Sequence, residues 1–129
     1  MDFMSVASAF VQHYYTSFGG GDAARKGLAG LYRPESMLTW EGAQAQGQAN
    51  IAATLTRPEL ADIRHRVSTS DAQPAPGGGV LVSVTGVLAV DDAADKPLPF
   101  TETFDLQPIP GRPGGFFIHN QVFRLILGA

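Results

Sequence analysis

The chain has 129 residues, 44% hydrophobic and 16% charged, with a net charge of −3 and no cysteine. That length and apolar content suit one compact domain over residues 1–129 and argue against disorder. Its nine Lys and Arg are scattered, so no basic footprint for nucleic acid exists, and disulfides, thiolate metal sites and cysteine nucleophiles are excluded.

Met1-Asp2-Phe3-Met4-Ser5 lacks the basic and apolar regions of a signal peptide, and no apolar run approaches the ~18 residues of a membrane span. The expectation is a soluble, intracellular protein with neither nucleic acid nor membrane as partner. Phe3, Val6, Ala7, Phe10, Val11, Tyr14 and Phe18 form an apolar stripe at helical spacing, predicting a helix over 3–18 that Gly19-Gly20-Gly21 ends. Asp22 is the expected N-cap of a short second helix through Tyr32, which Pro34 breaks. Residues 36–41 read as extended. Gly47 then precedes a third helical segment, with Ile51 and Leu55 on one face, that Pro58 ends.

From Ile63 the period becomes two. Ile63, His65, Val67 and Thr69 alternate with Arg64, Arg66, Ser68 and Ser70, as in a half-buried strand. Pro74 to Gly79 reads as a turn, and Val80 to Val90 is the strongest strand of the chain, long and β-branched. Asp91-Asp92-Ala93-Ala94-Asp95-Lys96-Pro97 is a polar connection, followed by strands over 100–107 and 116–127 with a turn between them. Helices first and strands after make an α+β fold, in which a curved antiparallel sheet wraps into a cone around a long N-terminal helix plus two shorter ones. The open end of such a cone is a natural pocket.

Catalytic and metal constellations are weak. His13, His65 and His119 are the only histidines, far apart, with no His-x-x-x-His or paired carboxylate spacing, so no metal site and no cofactor are expected. Gly19-Gly20-Gly21 lacks the Lys-Ser/Thr of a phosphate-binding loop, and Gly77-Gly78-Gly79 leads into a strand rather than a helix. A cavity-facing His65 beside a tyrosine could serve as a general base. The plainer reading of His65 is a buried histidine held by a carboxylate such as Asp71.

The single tryptophan, Trp40, is followed by Glu41 within Leu31-Tyr32-Arg33-Pro34-Glu35-Ser36-Met37-Leu38-Thr39-Trp40-Glu41-Gly42. On a strand the two side chains point to opposite faces, but at a pocket rim they can flank one opening. That segment, with Phe10-Val11-Gln12-His13-Tyr14-Tyr15, Gln46-Gly47, His65-Arg66-Val67, Asp71-Ala72-Gln73-Pro74 and Asn120-Gln121-Val122-Phe123-Arg124-Leu125, resembles the nuclear transport factor 2 family in order from Phe3 to the C-terminus. Members of that family have the cystatin-like cone fold. They carry the GDP-bound GTPase Ran into the nucleus and act as homodimers without enzymatic activity.

The resemblance implies that Trp40, Phe123 and Ile63 line an apolar cavity receiving an aromatic side chain of Ran. It implies that Glu41, Asp91 and Asp92 form the acidic rim, and that Phe3 contacts phenylalanine-glycine repeats of nuclear-pore proteins. Phe3 fits an ordinary core position of the first helix equally well. The implied location is cytoplasm and nucleus, concentrated at the nuclear envelope. Three departures from the family pattern stand out. The turn Gly19-Gly20-Gly21-Asp22 is longer and less acidic. The 91–99 loop is also longer, leaving a third carboxylate either lost at Ala93 or supplied by Asp95. Pro58-Glu59-Leu60 replaces a more apolar stretch near the pocket. The same cone hosts small-molecule isomerases and dehydratases, the alternative activity, and a third reading is an interaction module that does not bind Ran.

Overall fold

The apolar stripe at the start of the chain does form one long helix. In the computed structural model, which describes residues 2–90 and 96–126, α1 spans Phe3–Phe18, capped by Asp2, whose Oδ1 accepts from the Met4 N–H at 3.1 Å. A second helix, α2, covers only Asp22–Lys26 and tightens into a 3-10 turn over Gly27–Leu31. Tyr32 already belongs to a strand, which corrects the expected helix through that residue. Gly27 and Gly30 weaken helical propagation at that point. Asp22 is the first helical residue rather than the cap, which is Gly21, and its carboxylate pairs with Lys26 at 2.9 Å.

Pro34 does not break a helix but lies inside β1, Tyr32–Trp40. The register of that strand shifts between Tyr32 and Met37, so a residue without an N–H fits there. The Ser36 hydroxyl spans the irregularity, accepting from the Arg33 N–H at 2.8 Å and donating to the Ile118 carbonyl at 2.5 Å. A strand absent from the sequence reading follows at once: β2, Ala43–Gln46, pairs antiparallel with β1. Glu41 and Gly42 connect the two with φ of 50° and 86°, the positive pair that a tight two-residue hairpin requires. Helix α3 then runs Gln48–Leu55, and a 3-10 turn Pro58–Leu60 leads into the rest of the sheet.

Strands β3 (Ile63–Ala75), β4 (Gly79–Val90), β5 (Leu98–Pro108) and β6 (Phe116–Leu125) complete a six-stranded curved sheet in the order β2-β1-β6-β5-β4-β3. Every pairing is antiparallel except β1 with β6, which is parallel. β3 runs on through Pro74 because it is an edge strand, where a missing N–H is tolerated. Its register slips between Val67 and Thr69, opposite Gly86, where a Cβ would lie 2.2 Å from the Arg66 carbonyl oxygen. Only glycine fits that bulge.

The concave face closes on α1. Tyr14 and Phe18 are fully buried with Val82, Val84, Phe100 and Phe104 of the sheet. A polar network sits in this core. The Tyr15 hydroxyl donates to Glu102 Oε1 at 2.7 Å, and the Gln121 amide donates to Glu102 Oε2 at 2.6 Å and to the Tyr14 hydroxyl oxygen at 2.8 Å. Tyr32 donates to Gln121 Oε1 at 2.5 Å. Hydrogen bonds satisfy both carboxylate oxygens, yet burial dominates and pushes the Glu102 carboxyl from 4.5 up to about 7.

A raised carboxyl pKa means that the folded state holds a proton the unfolded chain releases. The contribution of Glu102 to stability therefore falls as pH rises from 4.5 to about 7. Above pH 7 the ionised side chain costs the fold about 3 kcal/mol. Glu102→Gln is expected to stabilise the protein by about 1–2 kcal/mol at pH 8 and by much less at pH 4.5. Urea unfolding at the two pH values measures this, and an equal change at both contradicts it.

Candidate functional site: the mouth of the cone

The parallel register of β1 with β6 sets Trp40 beside Phe123. Their rings stack with centroids 4.0 Å apart and planes within 13°. Phe18, the last residue of α1, lies parallel to Trp40 at 6.1 Å, and Phe100 of β5 continues the series 5.8 Å from Phe123. Four rings from four elements thus form one aromatic column, worth about 0.5–1.5 kcal/mol per pair beyond its area burial. Trp40 is 5% exposed and Phe123 1%. The residues read as cavity walls are therefore closed against one another in the core.

Glu41 follows Trp40 directly and is tied to the strand that carries Phe123. Its N–H donates to the Phe123 carbonyl at 3.0 Å, and its Oε2 accepts from the Leu125 N–H at 2.7 Å. The left-handed backbone of the hairpin turns Glu41 out of the strand alternation, so Trp40 packs inward while an exposed carboxylate is fixed beside the end of β6. Leu98 and Ile126 are exposed apolar residues beside it, their strand ends joined by an Ile126 N–H to Pro99 carbonyl bond of 2.9 Å. Sequence reasoning missed both, because each lies where strand alternation has ended and carries no periodic signal.

The other candidates scatter. Ile63 is buried at the start of β3 and pairs with Val90, the residue before Asp91. Asp91 and Asp92, together with Ala93 and Asp95, lie outside the described residues. Phe3 is half-buried on the first turn of α1, packed against the core. An open apolar groove of about 450 Å³ lies one turn further along, between Val6, Phe10 and His13 of α1 and Phe116, Phe117 and Ile118 of β6. Among the described residues, no group of three His, Cys, Asp or Glu could hold a metal, and no helix is long and apolar enough to cross a membrane.

His65 does not have the carboxylate partner expected for it. Asp71 is exposed further along β3, paired with Ser83, while both His65 nitrogens are buried without a hydrogen bond. The ring sits instead among Phe18 at 4.9 Å and Tyr15 and Phe100 at 5.0 Å. Burial first, and the nearby Arg25 charge second, lower its pKa from 6.5 to about 4. A base that resists protonation and sits among rings with no hydrogen-bond partner among the described residues packs rather than transfers protons.

The unfolded chain binds a proton on this residue that the fold refuses. Its contribution to stability is complete above pH 6.5 and is lost as pH falls toward 4. His65→Phe is expected to leave stability at pH 7.5 within about 1 kcal/mol and to raise it at pH 4.5 by about 2 kcal/mol. Denaturant titrations at these pH values decide it, and an unchanged acid dependence in the variant contradicts it.

Comparison with known proteins converges on one family. The family model described as the Nuclear transport factor 2 (NTF2) domain matches residues 6–125. The chain is 47% identical over 129 residues to nuclear transport factor 2 of Emericella nidulans, covering 99% of this chain and 98% of that one. It is 44% identical over 126 residues to nuclear transport factor 2B of Arabidopsis thaliana, covering 97% and 95%. The solved structure of nuclear transport factor 2 from Cryptosporidium parvum superposes with a TM-score of 0.83 at 42% identity, covering 96% of this chain and 94% of that one. A family match over nearly the whole sequence, on the same fold, shows that this chain belongs to the nuclear transport factor 2 family.

Proposed function

We propose that the protein is a non-enzymatic nuclear import carrier that docks GDP-bound Ran at the mouth of the cone. The observation that supports this reading is the stacked pair of Trp40 on Phe123 with the exposed, hydrogen-bonded carboxylate of Glu41 on the next residue. Leu98 and Ile126 add exposed apolar surface beside it. An apolar seat for an aromatic side chain supplies affinity, and a carboxylate at the rim orients a basic partner and speeds encounter. Ile63 belongs to the same seat, and Asp91 and Asp92, whose side chains are acidic, are the further carboxylates that a basic partner would meet.

Phe3 contacts phenylalanine-glycine repeats, with the apolar groove between α1 and β6 as adjoining surface. The protein works as a homodimer, without a cofactor, and shuttles between cytoplasm and nucleus with a concentration at the nuclear envelope. Enzymatic chemistry on the same fold is disfavoured by the two side chains it would use. Among the described residues His65 has no hydrogen-bond partner, and Glu102 is 1% exposed within a satisfied network.

Calorimetric titration of the protein with Ran-GDP and with Ran-GTP tests the carrier reading. Binding is expected to the GDP form alone, and Glu41→Lys is expected to weaken it at least tenfold, about 1.4 kcal/mol. Failure to bind Ran-GDP, equal binding of both forms, or an unaffected Glu41→Lys variant would each sink the proposal.

A further inference from the structure

Arg25 is the one arginine among the described residues whose side chain is buried, at 4% exposure, and it makes no ion pair with a described carboxylate. A guanidinium taken out of water needs its donors filled. Here backbone carbonyls fill them. Its Nε donates to the Phe18 carbonyl at 2.9 Å, one terminal nitrogen donates to the Leu60 carbonyl, and the other donates to the Ala61 carbonyl at 3.2 Å. These acceptors are carbonyls at the C-terminal ends of α1 and of the Pro58–Leu60 turn, groups that helical bonding leaves free. The guanidinium plane also covers the Phe18 ring, with its carbon 4.1 Å from the centroid.

Two consequences meet at the mouth of the cone. Phe18 neighbours both the guanidinium and Trp40, which stacks in turn on Phe123. The Leu60-Ala61 backbone that Arg25 holds runs two residues later into Ile63. We infer that Arg25 is a positioning residue for the docking mouth: one planar cation fixes the ring of Phe18 and the entry to β3, and through them the Trp40–Phe123 floor. The inference rests on the reading of that mouth as the Ran-GDP site. No sequence pattern announces it, since a lone Arg in Asp22-Ala23-Ala24-Arg25-Lys26 looks like a solvated helix face.

A lysine at this position keeps the charge but cannot lie flat on a ring or reach three carbonyls at once. The fluorescence of Trp40, the only tryptophan, gives a readout in the free protein that mere loss of stability does not move, provided folded samples are compared at low temperature. Arg25→Lys is expected to shift the emission of folded Trp40 and to weaken Ran-GDP binding about tenfold. Phe18→Leu keeps the backbone carbonyl and removes only the intervening ring. It is expected to give the same shift and a similar loss, and the double variant is expected to lose no more than either single one.

Failure of the wild-type protein to bind Ran-GDP overturns the carrier reading and this inference with it. Wild-type binding with unchanged emission and affinity in folded Arg25→Lys overturns the inference alone. Should Arg25→Lys not fold, Phe18→Leu decides: unchanged affinity, or unchanged Trp40 emission, overturns it.

Discussion

Trp40 can stack on Phe123 only because β1 and β6 run parallel in a register that puts these two residues side by side. A parallel neighbour cannot be joined by a tight turn, and here almost the entire sheet separates the two strands in sequence. The contact therefore closes the fold as well as the mouth. Its geometry fixes what surrounds it. The hairpin after Trp40 must turn within two residues, which forces Glu41 into the left-handed region. Glu41 then reaches the Leu125 N–H, on the strand that carries Phe123. One pairing thus yields a floor and a rim group together.

The interior behind that floor holds two titratable side chains with opposed demands. Glu102 retains its proton to about pH 7, and His65 refuses one until about pH 4. Both are most comfortable uncharged, and burial is the first cause for each. Their slopes of stability against pH have opposite signs between these values, so each offsets the other across the acidic range. Glu102 is reached by hydrogen bonds from two different elements, α1 through Tyr15 and β6 through Gln121, whereas His65 meets only rings. The network specifies how the helix sits in the cone. The histidine fills space between it and the sheet.

The apolar period of residues 3–18 and the alternation from Ile63 were legible because burial on one face leaves a direct trace in sequence. Hairpin β1–β2 was not. Ala-Gln-Ala-Gln has little strand propensity, and Glu-Gly is a weaker turn signal than Asn-Gly, although only the hairpin explains why Trp40 is buried while Glu41 is exposed and bound to Leu125. Pro34 misled for a related reason: a residue that stops helices is also tolerated at a register slip. Trp40, Phe123 and Glu41 do converge. Trp40 and Phe123 occupy each other's faces and are buried, which strand alternation alone does not reveal. The pairing of His65 with Asp71 failed because alternation along an edge strand assigns a face but not a neighbour, and Arg25 left no trace because its partners are backbone carbonyls.

The central claim is that a partner docks on the floor made by Trp40, not elsewhere on the cone. Biosynthetic replacement of the single tryptophan by 5-fluorotryptophan gives one fluorine resonance, which unlabelled Ran does not obscure. This resonance is expected to shift on saturation with Ran-GDP and to stay in place with Ran-GTP. A resonance unmoved by saturating Ran-GDP would contradict it.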